Sequence, residues 1–181
     1  NWTAPTPLNT NASSDTGEDN RPWVAVDDFG NWVAVWDSQE DLNGTAGTDT
    51  DLFVAKSSDN GGTWTAPVLL NTNGNSDVGS FDLPSDHGPQ IAADANGNWV
   101  AVWVGSYDLA GISGSTDADI FVAMSGDGGA TWTSPSQLST NGASDSGADF
   151  FPGIFYQHVG GEGSWMAMWA SAENLSGTAG S

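Results

Sequence analysis

The chain has no cysteine, one lysine (Lys56) and one arginine (Arg21) in 181 residues. Without cysteine there is no disulfide and no thiolate ligand or nucleophile, and the redox compartment is left undecided. Two basic residues against 23 acidic ones give a formal charge of −21. No basic patch can be assembled from them, so neither nucleic acid nor an anionic lipid surface is expected as a partner. No apolar run is long enough to span a bilayer, and membrane insertion is not expected. No secretory leader is visible at Asn1, and a start at Asn instead of Met suggests a processed or excised chain. Apolar residues nowhere recur with a period of 3.6, which argues against helices. His87 and His158 lack metal-type spacing, and no Gly-x-Ser-x-Gly, phosphate loop or dinucleotide fingerprint occurs.

What the chain does have is a repeat. Ser-x-Asp-x-Gly-x-Thr-Trp occurs at Ser57–Trp64 (SSDNGGTW) and again at Ser125–Trp132 (SGDGGATW). Trp2, Trp64 and Trp132 are equivalent, each followed by Pro at plus three and Leu at plus six (Pro5, Pro67, Pro135; Leu8, Leu70, Leu138). A polar stretch then holds Ser14-Asp15, Ser76-Asp77 or Ser144-Asp145, with Gly17, Gly79 or Gly147 two residues past the Asp. Pro22, Pro89 and Pro152 follow, then tryptophan pairs four apart: Trp32/Trp36, Trp99/Trp103 and Trp165/Trp169. The units run at about residues 1–63, 64–131 and 132–181 within one repeat region.

Each unit reads as four short antiparallel strands. In Asn31–Trp36, Trp32, Ala34 and Trp36 share one face and Val33 and Val35 the other. Both faces are apolar, so the strand needs cover on both sides, as in the stacked blades of a β-propeller. The octapeptide suits a hairpin turn between third and fourth strands. Asp59 or Asp127 accepts backbone N–H groups, Gly61 or Gly129 supplies a positive φ, and Trp64 or Trp132 begins the last strand. Ser57, Thr63, Ser125 and Thr131 complete the two turns, whose role is structural.

On these residues the chain resembles the Asp-box, or bacterial neuraminidase repeat, proteins, which include sialidases and sialidase-like propellers. The resemblance covers essentially the whole chain. It implies an all-β fold of four-stranded propeller blades, about three units that do not close a ring, with the boxes on the face away from any active site. Sialidases of this family use an arginine triad, a Tyr/Glu nucleophile pair and an acid/base Asp. One arginine cannot make the triad, so no catalytic residue is assigned and the chain by itself is not expected to be an enzyme. Arg21 is expected to pair with Glu18 or Asp19. The resemblance also favours an extracellular or cell-surface bacterial setting.

The remaining candidate chemistry is cation binding. Asp49 and Asp51, and equivalently Asp117 and Asp119, place two carboxylates on one side of a strand start, a hard-oxygen set suited to Ca²⁺. Asp15/Asp19 and Asp145/Asp149 form a second recurring set. Trp23 alone among the tryptophans falls outside the repeat positions and is the candidate glycan-stacking residue. Sequons at Asn1, Asn11, Asn43 and Asn174 are no more than such a composition gives by chance.

Asn1 aligns with Thr63 and Ser181 with Thr48, so the last unit lacks one strand and its box. Three blades with open edges are expected to pair with further copies of the chain or with adjacent blades. The leading expectation is a non-catalytic structural or adhesive module that assembles end to end. The alternative is a fragment of an exo-sialidase-like glycoside hydrolase, or a glycan-binding propeller.

Overall fold

The computed structural model describes residues 4, 6–42, 44–47, 49–72, 86–105, 117–139, 147–159 and 162–173. Every regular element among them is a strand: β1 (Asp19–Val26), β2 (Trp32–Ser38), β3 (Asp51–Ser57), β4 (Val68–Leu69), β5 (Asp86–Ala93), β6 (Trp99–Gly105), β7 (Asp119–Ser125), β8 (Ser136–Gln137), β9 (Asp149–Val159) and β10 (Glu162–Ser171). No helix among the described residues is long and apolar enough to cross a membrane. The strands form two antiparallel four-stranded meanders, β1-β2-β3-β4 and β5-β6-β7-β8, and a two-stranded sheet, β9-β10. Among the described residues the sheets do not close into a ring.

Alternation along the strands sets the packing. Val33 and Val35 are fully buried on one face of β2 with Leu52 and Val54, while Ala34 and Trp36 join Phe53 and Ala55 on the other. Antiparallel register places Trp36 opposite Phe53 and Trp103 opposite Phe121, and the rings stack with centroids 6.1 and 6.3 Å apart. The tryptophan face of the second sheet (Trp99, Ala101, Trp103) packs on the valine face of the first in one core cluster. The second sheet's own valine face (Val100, Val102, Val104) packs on Ile154 of β9. Each sheet thus lies face to face on the next, with the first strand of the second sheet, β5, lying between β1 and β9. This is the arrangement of propeller blades.

The third tryptophan pair departs from expectation. Trp99 and Trp103 are fully buried, Trp36 is 6% exposed and Trp32 half-buried, but Trp165 and Trp169 are each 37% exposed. The cause is local. Among the described residues β10 pairs only with β9, whereas β2 and β6 each have a third strand against their other edge. The outer face of β10 is barer still, with Met166 and Met168 more than half exposed.

Candidate functional site: the axial cavity opposite the Asp boxes

The boxes form as turn chemistry requires. Asp59 Oδ1 accepts the Thr63 N–H at 2.8 Å and the Ser57 hydroxyl at 2.7 Å, and Oδ2 accepts the Thr63 hydroxyl at 2.7 Å. Ser57 Oγ in turn accepts the Gly61 N–H at 2.9 Å. Asp127 repeats this with Thr131 (N–H 2.9 Å, hydroxyl 2.6 Å) and Ser125 (2.8 Å). Gly61 and Gly129 have φ of +81° and +78°. The Thr63 backbone N–H, then the Ser57 and Thr63 hydroxyls, hold Asp59 down at about 2. The Thr131 hydroxyl and N–H hold Asp127 well below the ordinary range.

One expectation is corrected: Trp64 and Trp132 do not begin the fourth strands, which are only Val68–Leu69 and Ser136–Gln137. The link is made by Thr65 and Thr133, whose N–H groups bond Lys56 O and Met124 O at 2.9 Å, so that each tryptophan lies inside the closed turn. Trp64 and Trp132 instead cover core clusters as partly buried side chains.

A second repeated turn was missed in the sequence. Asp27 Oδ1 accepts N–H groups of Phe29 and Asn31 and Oδ2 accepts Asn31 Nδ2; Asp94 does the same with Asn96 and Asn98. Burial raises the Asp94 pKa, but the bonds from the Asn98 side chain and backbone and from Asn96 outweigh it and leave it lowered. The signal, Asp-x-x-Gly-Asn at 27–31 and 94–98, is visible in the chain. A cavity of about 280 Å³ lies beside these turns, lined by Asp27, Asp94, Tyr156 and His158. Two of its carboxylates are therefore already committed to turn backbone.

Boxes and Asp-Asn turns share one end of the sheets, since Val26, Trp32 and Ser57 are in register there. At the other end, where Asp19, Ser38 and Asp51 align, each first strand carries a bulge. Arg21, Gly88 and Phe151 hold equivalent positions before Pro22, Pro89 and Pro152, with φ of +46°, +64° and +55°. Each of these left-handed residues lies where its strand's ladder shifts register. The three bulges line one open cavity of about 640 Å³ with Trp23, Gln90, Val104 and Phe150.

Around this cavity Trp23 is 47% and Phe151 84% exposed. The sequence candidate Trp23 is thus brought to a concavity, and Phe151 joins it as an aromatic that the sequence reading passed over. Arg21 pairs with neither Glu18 nor Asp19. Its Nε donates to Asp37 Oδ1 at 2.9 Å, because the bulge turns the side chain onto β2, where Asp37 lies opposite Asn20. Asp37 is 1% exposed and also accepts the Gly88 N–H at 3.4 Å, so it links two of the bulges.

The strand-start acids divide. Asp51 and Asp119 are each 1% exposed, accepting Asn71 Nδ2 at 2.7 Å and the Ser139 hydroxyl at 3.0 Å. These are structural bonds between third strand and following loop. Asp49 and Asp117 are half-buried beside them. Asn9 Nδ2 bridges Asp15 and Asp19. Asp145, Tyr107, Asp77 and the sequons at Asn1, Asn43 and Asn174 lie outside the described residues. Among the described residues no three acidic, histidine or cysteine side chains gather as a metal site.

No protein-family model and no curated protein matches the chain. Solved structures do match, at low identity in the following cases. An α-L-arabinanase from Penicillium chrysogenum superposes with a TM-score of 0.53 at 14% identity, covering 84% of this chain and 39% of that one. A family 117 glycoside hydrolase from the marine bacterium Zobellia galactanivorans gives 0.52 at 14%, covering 94% and 57%. The Hadza microbial sialidase Hz136 gives 0.49 at 18%, covering 66% and 26%. The chain thus spans from about a quarter to 57% of the length of these glycoside hydrolases. The fold is that of a β-propeller, as in the arabinanase and the family 117 hydrolase, present here among the described residues as an open set of sheets.

Proposed function

We propose that this chain is part of a glycan-active β-propeller of the glycoside-hydrolase kind, and that the axial cavity is its carbohydrate surface. The observation that carries this is the convergence of three equivalent bulges on one concavity. There exposed Trp23 and Phe151 stand beside the Gln90 amide and the Arg21 guanidinium. Aromatic faces receive the C–H faces of a sugar ring, while amide and guanidinium N–H groups bond its hydroxyls. Glycoside hydrolysis needs two carboxylates across the bond. No Asp or Glu is among the described residues that line the cavity, and Asp37 lies behind Arg21. The described sheets therefore supply binding, and an acid/base pair would come from blades that complete the ring. An extracellular bacterial setting goes with this reading.

A panel of arabino-, sialo- and galacto-oligosaccharides titrated calorimetrically into the chain tests it. Trp23→Ala and Phe151→Ala should each weaken binding at least tenfold with folding retained. Binding indifferent to both, or none to any oligosaccharide in the panel, overturns the assignment.

A second reading is favoured by the bare edge and outer face of β10. The sheet would be completed by a further blade or by another copy of the chain, as an end-to-end assembly requires. Sedimentation at neutral pH separates the two forms, since only pairing between copies raises the mass above 18.6 kDa with concentration.

A further inference from the structure

Two carboxylates at the junction of the second and third sheets make no hydrogen bond. Asp149 opens β9 and is 1% exposed, yet neither of its carboxylate oxygens is bonded. Asp117, two residues before β7, likewise has both oxygens buried and unbonded. Backbone ties the two segments, the Asp149 N–H donating to Ala118 O at 2.7 Å. Burial pushes the Asp149 carboxyl up from its ordinary value. The hydroxyls of Ser171 and Ser139 draw it down without closing a hydrogen bond, and the charges of Asp117 and Glu173 push it up again.

The repeat shows how the donors came to be missing. Asp19 is the equivalent of Asp149 in the first unit, each three residues before its bulge proline. Asp19 accepts Asn9 Nδ2 at 2.8 Å and Trp36 Nε1 at 3.2 Å. An amide has two N–H groups, and Asn9 uses them on Asp15 and Asp19. At the matching position before Asp149 stands Ser139, whose single O–H is directed to Asp119 at 3.0 Å. Trp169, in the place of Trp36, gives Asp149 no bond. Position for position, a carboxylate with two hydrogen bonds has become a buried one with none, close enough to Asp117 to feel its charge.

We propose that Asp117 and Asp149 together bind one divalent cation of the Ca²⁺ class, which joins the second sheet to the third. The donors available are oxygens only, which suits a hard cation, and hydroxyl, carbonyl and water oxygens would complete a shell of six to eight. A single shared proton would meet only part of the need, leaving two of the four buried carboxylate oxygens without a partner. The sequence pairing of Asp117 with Asp119 is thereby replaced, because Asp119 is held by Ser139 and Asp149 comes from the next sheet.

The test is calorimetric titration of the 181-residue chain with CaCl2 in 0.15 M NaCl, where diffuse attraction to the −21 charge is screened. One saturable site and a rise in Tm with Ca²⁺ are expected. Asp117→Asn with Asp149→Asn should lose at least tenfold in affinity, while the charge-matched surface pair Asp28→Asn with Glu162→Gln should keep it. Absence of saturable binding by the parent chain overturns the proposal, whether or not the variant folds. Equal weakening in both double variants also overturns it, as does a variant stabilised over a parent that binds nothing, the mark of a shared proton.

Discussion

Gly129 backs onto Val33 so closely that a Cβ on the glycine would lie 2.6 Å from Val33 Cγ2. Val33 is fully buried on β2, so the second box is seated on the core strand of the preceding sheet. Gly61, its counterpart in the first box, would meet nothing within 4 Å. Both have φ near +80°, where a Cβ is strained. Gly61→Ala should cost about 1–2 kcal/mol from the left-handed backbone alone. Gly129→Ala adds overpacking of about 1–3 kcal/mol. Urea unfolding of the two variants measures the difference, and equal losses would show the second box swinging free of Val33.

The tryptophan pairs give a graded series. Trp103 is fully buried and stacked on Phe121, and Trp103→Ala should cost about 3–5 kcal/mol. Trp169 holds the same repeat position but is 37% exposed. Trp169→Ala should cost less than about half as much in the isolated chain. Denaturant midpoints at unchanged slope decide it. A Trp169→Ala loss as large as that of Trp103 would mean that another strand or copy covers β10 in solution.

Acid should loosen the boxes before it affects the core. Asp59 is depressed to about 2 and Asp127 is depressed in the same sense, by hydrogen bonds to the ionised form. A folded pKa below the unfolded value means stability that is fully present above about pH 4. It is lost as pH falls from there through the folded value. Carboxyl chemical shifts titrated by NMR should give midpoints for both residues below those of ordinary aspartates. Thr63→Val and Thr131→Val, which remove a hydroxyl donor, should raise them. Midpoints near 4 in the parent chain would contradict the turn geometry.

The fold was legible because its signals are local and repeated. Alternation around Trp32–Trp36 and the Ser/Asp/Gly/Thr chemistry of the boxes each fix a strand or a turn without distant information. Even the repeated glycines have a simple cause: a Cβ on Gly17 or Gly147 would strike the backbone of Glu40 or Glu173 at 2.5 or 2.6 Å. The axial cavity was not legible, because Arg21, Gly88 and Phe151 share a backbone conformation and not a residue type. The Arg21–Asp37 pair was missed for the same reason, since a bulge redirects a side chain that sequence neighbours would otherwise claim. The Asp117–Asp149 junction needs two sheets to be seen together. Its only trace in the chain is a serine at 139 where the other units have Asn9 and Asn71.

The isolated chain should not turn over a fluorogenic sialoside. Clamping a sialic acid carboxylate in the transition state requires several fixed guanidinium groups, and this chain has one. Arg21 does reach the axial cavity, but its Nε is committed to Asp37 at 2.9 Å. Swinging it onto a substrate would strip that bond from a buried carboxylate. Arg21→Ala should therefore leave the background rate unchanged while lowering stability by about 1–3 kcal/mol, an effect moderated because the guanidinium is half exposed. Turnover by the parent chain that Arg21→Ala abolishes would refute this and make Arg21 a substrate clamp. Turnover that survives the substitution would point to contaminating enzyme, to be settled by whether activity co-migrates with the purified chain.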